Sequence, residues 1–478
     1  MICFFKNQSM AFPTKIALFL AMFTLFSITE GGMVGVNYGR VANNLPSARK
    51  VVTLLKSQGI NKVKVYDTDK AVLKALSGSG IRVTVNLPNE QLYNAAKHQS
   101  FATAWVKYNI VSYYPTTQIE AIAVGNEVFV DPRKTTMYLV PAMRNIHNAL
   151  VKFKLDETIK VSSPVALSAL GNSYPSSAGS FRPELVERVI KPMLEFLKST
   201  GSYLMVNIYP FFAYEGNSDV ISLDYALFRE NPGIVDLGNS LRYFSLFDAQ
   251  IDAVFAAMSA LKYDNLDIVV TETGWPSKGD ENELGASIDN AAGYNGNLVR
   301  RVLMGGGTPL RPKANLTVYL FALFNENEKP GPTSERNFGL FYPSQRKVYD
   351  IPLTMEALKH YHEHEHNAGD RSIPPVTGDR RVYTRAGESW CVAHEGAGEE
   401  KLQLALDYAC GEGGADCRSI QPGSTCYDPN TLEAHASFAF NSYYQKNKRA
   451  IGSCYFGGAA YIITQQPKFG KCELPTGY

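Results

Sequence analysis

Two runs of this chain end an apolar stretch in a carboxylate. One is Ala121-Ile-Ala-Val-Gly-Asn-Glu127; the other is Ile268-Val-Val-Thr-Glu-Thr-Gly-Trp-Pro276, which carries Glu272. An unpaired charge is costly to bury, so a glutamate at the end of a buried strand points to a site rather than to the core. Glu127 and Glu272 lie about 145 residues apart, so they meet only if the fold brings them together. Paired carboxylates are the machinery of glycoside hydrolysis. One protonates the leaving oxygen while the other attacks the anomeric carbon or activates water, and a separation of about 5–5.5 Å gives retention of configuration.

The elements that must position the pair are strand-like runs rich in Val and Ile. They are Val34–Tyr38, Lys62–Tyr66, Arg82–Leu87, Ile119–Gly125, Ile159–Ser163, Tyr203–Tyr209, Asp267–Thr271 and Leu316–Leu323. Several are almost continuously apolar, as strands buried on both faces are. Amphipathic stretches lie between them: Ala48–Gln58, Met137–Phe153, Pro183–Lys198, Leu246–Leu261 and Leu284–Leu303. Pro46 and Pro183 suit the first turns of helices. Eight βα units predict an α/β fold, a (β/α)8 TIM barrel. A doubly wound open sheet is the alternative, weakened because Gly39-Arg-Val-Ala42 after the first run is no phosphate-binding fingerprint.

Barrel chemistry sits at the C-terminal ends of the strands. Those ends supply Asn37, Tyr38, Tyr66, Asp67, Asn86, Asn126, Glu127, Asn207, Tyr209, Phe212, Glu272, Trp275, Phe324, Asn325 and Glu326. Carboxylates and amides bond hydroxyl groups, and aromatic rings stack on sugar faces, so the set suits a neutral polysaccharide. It holds no His or Cys for acyl-transfer or zinc chemistry, and no metal or cofactor is expected.

The chain has 478 residues, enough for two domains, and 45% of them are hydrophobic. Its net charge of +2 gives no electrostatic case for nucleic acid. Lys15 followed by the apolar run Ile16–Phe26 reads as a signal peptide over residues 1–31, since the run is short of a membrane span. No transmembrane or lipid anchor is expected, and a monomer is. Six of seven cysteines fall between Cys391 and Cys472. That density suits three disulfides in a small secreted module; no Cys-x-x-Cys pair favours zinc. Asn315-Leu-Thr317 is a glycosylation sequon.

The motifs Val36-Asn-Tyr-Gly39, Val124-Gly-Asn-Glu127, Val206-Asn-Ile-Tyr-Pro-Phe211, Val270-Thr-Glu-Thr-Gly-Trp-Pro-Ser277 and Phe324-Asn-Glu-Asn327 resemble the signatures of plant endo-β-1,3-glucanases of glycoside hydrolase family 17. The resemblance implies a retaining β-1,3-glucan hydrolase with Glu272 as nucleophile and Glu127 as acid/base. It implies that Asn126 binds the sugar 2-hydroxyl and that Glu326, Lys329 and Glu335 bind substrate or hold the charges around the nucleophile. Tyr38, Asn207, Tyr209, Trp275 and Phe324 complete the expected substrate contacts. Lys329 is expected to keep Glu272 ionised, whereas Glu127 should have the raised pKa.

After His360-Tyr-His-Glu-His-Glu-His366 the chain turns polar, with Pro374-Pro375, as a linker does. Leu402–Gly411, Cys426-Tyr-Asp-Pro-Asn430, His435–Tyr444 and Cys454-Tyr-Phe-Gly457 resemble the X8 module, carbohydrate-binding family 43. This implies a small, mainly helical, disulfide-stapled domain that binds β-1,3-glucan, with pairs Cys391–Cys454, Cys410–Cys417 and Cys426–Cys472. Spacing alone leaves 15 pairings open. Tyr427, Phe438, Tyr443, Tyr444 and Tyr455 include the candidates for sugar stacking.

The expected layout is signal peptide 1–31, catalytic barrel 33–360, linker 361–387 and module 388–474. The expected location is secreted, extracellular or cell wall, with the vacuole as alternative. A β-1,3-glucanosyltransferase using the same intermediate and a non-catalytic wall-glucan binding protein are the competing readings.

Overall fold

The structure is a computed structural model that describes residues 32–359, 390–393, 397–411, 413–447, 454, 456, 459–463, 466–470 and 472–476. The expected signal peptide, the histidine-rich run, the linker and Tyr455 lie outside the described residues. No helix among the described residues is long and apolar enough to cross a membrane.

All eight expected strand runs form, and they join into one parallel sheet that is a nearly closed TIM barrel. The first strand, Met33–Tyr38, pairs with the second, Lys62–Val65, and the eighth, Thr317–Leu320. The third, Arg82–Leu87, and fourth, Gln118–Val124, continue one side. The seventh, Ile268–Thr273, and sixth, Leu204–Asn207, continue the other. The expected fifth run, Ile159–Ser163, forms as Lys160–Ser162, and a further short strand, Pro164–Ala166, follows its expected end. Lys160–Ser162 bonds to the fourth strand, whereas Pro164–Ala166 bonds to the sixth. The two edges of the sheet thus come from adjacent residues of one segment, so the sheet curls almost into a ring, which an open doubly wound sheet would not do.

The second strand shows how sequence fills such a barrel. Side chains alternate sides, so Lys-Val-Lys-Val sends Val63 and Val65 into the helix-covered core while Lys62 and Lys64 turn inward. All four are buried, and each lysine meets a carboxylate there: Lys62 pairs with Glu120 and Lys64 with Glu272. Around the ring, the helices Ala48–Ser57, Leu139–Lys152, Leu246–Ala260 and Ile288–Leu303 bury their apolar faces.

Three boundaries depart from expectation for local reasons. Pro46 precedes Ser47, the residue ahead of the first helix, and is not within its first turn. Pro183 does start a helical turn, but the stretch to Ser199 is broken into Pro183–Leu185, a wider turn Val186–Ile190, and Lys191–Ser199. Pro192 lacks the N–H a regular helix would use there. The helix expected from Leu284 starts at Ile288, where the Ser287 side chain caps it by accepting from Asn290 N.

The C-terminal unit pairs strand Trp390–Ala393 antiparallel with Ala460–Ile463 and packs helices Glu399–Cys410 and Leu432–Lys446 around Trp390, Phe440 and Tyr444. Cys391–Cys454, Cys410–Cys417 and Cys426–Cys472 are the disulfides. A unit this small buries little apolar surface, and covalent links make up for it.

Candidate active site

An open cleft of about 690 Å³ crosses the C-terminal mouth of the barrel, and both glutamates line it. Glu272, on the seventh strand, is only 6% exposed. Lys64 Nζ donates to its Oε1 at 2.7 Å, and the Tyr209 hydroxyl donates to its Oε2 at 3.0 Å. Tyr66 lies beside it, its buried hydroxyl lacking a well-formed hydrogen bond. Burial alone would raise the Glu272 pKa, but the Lys64 charge and the donors outweigh it and hold the carboxyl below the ordinary range. This side chain is set up as an anion.

Glu127 follows the fourth strand, in a turn that starts at Gly125 with φ +68°. Glu127 itself has φ +50°, and its N–H donates to Pro164 O at 3.0 Å, at the start of the short strand Pro164–Ala166. Asn89 brackets the Asn126 main chain at both its N–H and its carbonyl, which fixes the turn. Asn207 Nδ2 donates to Glu127 Oε1 at 2.9 Å, and Thr271 orients that amide by donating to Asn207 Oδ1 at 2.8 Å. Burial raises the Glu127 pKa, the Glu272 charge adds to it, and the Asn207 donor only partly offsets them. Two glutamates in one cleft are thus pushed in opposite directions, the pattern that divides an acid from an anion.

Glu326, Lys329 and Glu335 also line the cleft. Glu326 is buried and accepts Val41 N at 2.8 Å. Its carboxyl stands directly over Gly39, where a Cβ would come within 2.3 Å of Oε2. Burial raises its pKa, and Lys329 opposes that. Lys329 pairs with Glu335 at 3.1 Å and lies over the Phe321 ring at 4.3 Å. The cation in contact with Glu272 is therefore Lys64, from a strand interior, and not the expected Lys329.

The cleft also gathers the expected Asn126, Asn207 and Tyr209. It does not gather Tyr38, Trp275 or Phe324, a correction to their expected sugar contacts. Trp275 is fully buried against Phe211 and Tyr294, and its Nε1 donates to Gly285 O. Tyr38 and Phe324 are buried edge to face. Their rings support the mouth from behind. The aromatic faces in the cleft are instead Tyr66, Tyr209, Phe212, Phe321 and Phe338. Gln250 and Arg40 line it too; Arg40 is ion-paired to Asp67. Asn315 is exposed just before the eighth strand. In the C-terminal unit Phe438 and Tyr444 are buried, Tyr427 and Tyr443 are partly open, and Tyr408, within the Leu402–Gly411 run but not among the expected stacking residues, is 47% exposed.

Residues 34–353 match the model of the family described as glycosyl hydrolases family 17, and residues 389–461 match the X8 domain. The chain is 42% identical over 450 residues to glucan endo-1,3-beta-glucosidase 13 of Arabidopsis thaliana, covering 94% of this chain and 86% of that protein. It is 38% identical over 461 residues to the glucan endo-1,3-beta-D-glucosidase of Olea europaea, covering 96% and 97%. Among solved structures, a beta-1,3-glucanase and allergen of Cryptomeria japonica pollen is similar at 44% identity and a TM-score of 0.65, covering 68% of this chain and 99% of that one. With a barrel, a paired-glutamate cleft and a family match over residues 34–353, this chain belongs to glycosyl hydrolase family 17.

Proposed function

We propose that this protein is a secreted, retaining endo-hydrolase of β-1,3-glucan of the callose or laminarin type. The observation that carries the reading is the opposite polarisation of Glu127 and Glu272 across one open cleft. Glu272, held ionised by Lys64 and Tyr209, attacks the anomeric carbon. Glu127, whose pKa is raised by burial and by the neighbouring anion, delivers a proton to the leaving oxygen. A glycosyl-enzyme forms, with the bond between Glu272 and the sugar replacing the glycosidic bond. Glu127, now ionised, takes a proton from water as that water displaces Glu272. Asn126, Asn207, Glu326, Lys329 and Glu335 hold the sugar and the charge network. An open cleft leaves room for chain on both sides of the cut, as internal cleavage requires. The relatives' names, which specify β-1,3-glucan, support the substrate.

The layout that fits this reading is a signal peptide at 1–31, a catalytic barrel at 33–360, a linker at 361–387 and a glucan-binding X8 module at 388–474. The disulfides and the sequon at Asn315 support an oxidising, secretory route. A second glucan-binding unit on the same chain raises effective concentration at an insoluble polymer. The test is reducing-end release from laminarin, lichenan and xylan side by side. Release from laminarin is expected; release from xylan alone, or from none, would overturn the reading.

A further inference from the structure

Among the residues that line the cleft, two carry a buried polar atom that the protein leaves without a partner: Tyr66 and Gln250. The first is accounted for by the carboxylate of Glu272 beside it. The second has no such neighbour to explain it. Gln250 is 5% exposed, and its Oε1 is sealed from solvent and meets no donor. A buried amide oxygen without a bond costs stability, and a helix with this many apolar neighbours would be better served by Leu or Met.

Its position shows what the amide is near. Gln250 sits in the second turn of Leu246–Ala260, a helix that follows the sixth strand and supplies no other residue to the cleft. The cleft is also lined by Leu167 and Ser168, after Pro164–Ala166, and by Phe212 and Ala213 of the short helix Pro210–Glu215, which packs on Leu246–Ala260. Neither glutamate is bonded to it: Glu127 is taken by Asn207, and Glu272 by Lys64 and Tyr209. The lining thus includes an aromatic ring, two aliphatic side chains, a hydroxyl and a carboxamide whose oxygen is unpaired.

We infer that Gln250 is a substrate-positioning residue: its carboxamide bonds the hydroxyl groups of a glucosyl unit that lies beyond the two units flanking the scissile bond. The inference rests on the proposed glucan cleft and adds to it a binding position off the barrel strands. A carboxamide offers an acceptor and a donor side by side, which matches neighbouring hydroxyls on a sugar ring. The last torsion of a glutamine side chain is soft, so the oxygen can turn out to meet such a hydroxyl. Phe212, 41% exposed, gives the same unit an apolar face.

The substitution Gln250→Leu separates this role from a structural one. Removing an unpaired buried amide for a similarly shaped apolar group should leave the melting temperature unchanged or raised. The kcat/KM of the full-length protein on laminarihexaose should nevertheless fall about threefold to tenfold, carried mainly by KM, because one or two neutral hydrogen bonds are lost. On laminaribiose, whose two units fill only the places flanking the scissile bond, the rate should be unchanged. Gln250→Glu keeps the acceptor and should lose less than Gln250→Leu. Equal rates for Gln250→Leu and the parent on both oligosaccharides would overturn the inference, as would an equal loss on both. A parent protein that cuts neither would instead overturn the glucan reading itself.

Discussion

Lys64 reaches Glu272 from the interior of the second strand, with 2.7 Å between Nζ and Oε1 and both side chains closed to solvent. A buried ammonium tolerates such a place only with an anion against it. The pairing therefore explains why the strand reads Lys-Val-Lys-Val and why Glu272 stays charged where burial would neutralise it.

Glu272→Ala removes the attacking group while leaving the cleft walls in place. Reducing-end release from laminarin should fall by roughly 10⁴-fold or more, the scale seen when a covalent nucleophile is deleted. Retention of activity within tenfold of the parent would remove Glu272 from that role.

The pH profile of kcat/KM should be bell-shaped, and its two limbs should move separately. Glu272 works ionised and its pKa is lowered, so the acid limb lies below the ordinary carboxylate range. Glu127 works protonated and its pKa is raised, so the alkaline limb lies above that range. Lys64→Met removes the attraction that keeps Glu272 charged, and the acid limb should move up. Asn207→Ala removes a donor that favours ionised Glu127, and the alkaline limb should move up. Movement of either limb in the other direction contradicts the assignment.

Gly39→Ala tests the seat of Glu326. The added Cβ would fall 2.3 Å from Oε2, so the carboxylate and its bond to Val41 N must shift. A loss of about 1–3 kcal/mol in stability is expected, as for other overpacked sites, with a drop in kcat/KM. Unchanged unfolding midpoint and rate would show that Glu326 moves away freely.

In the C-terminal unit, Tyr408 is exposed next to Tyr443, and both rings approach Phe456. Gly413 N donates to Tyr408 O at 2.8 Å, and the Cys410–Cys417 link closes the turn beneath it. Tyr408→Ala should weaken retention on insoluble β-1,3-glucan severalfold while soluble laminarin is cut at the parent rate. Equal retention would place the sugar contact elsewhere on the module.

The barrel was legible because each buried parallel strand is a short Val/Ile run, and Glu127 and Glu272 stood out as charges at the ends of such runs. The motif resemblance separated their roles. Lys64 was missed although its signal was present: two lysines alternating with two valines must both turn into a barrel lumen, where each needs a carboxylate. Lys329 drew the attention because it sits among acidic residues in sequence, yet its partner is the near neighbour Glu335. Trp275 stands at a strand end, where a sugar platform is expected, but its indole packs against Phe211 and Tyr294 and donates to Gly285 O. The short strand Pro164–Ala166 was not expected, since three residues opened by a proline make no strand-like run and only pairing to the sixth strand defines it. Gln250 was visible as a polar residue in an apolar helix, with nothing in the sequence to bring that helix to the mouth.

Glu127 holds its carboxyl over the cleft from a left-handed backbone position, φ +50°, that most side chains avoid and glycine adopts freely. Folding and reaction thus make opposite demands on one residue. A Glu127→Gly chain would relax the turn after the fourth strand and shed a buried carboxyl, so it is expected to outlast the active form in a thermal challenge while cutting nothing. The most durable version of this barrel is therefore a silent one, and selection for robustness alone would drive the lineage away from catalysis.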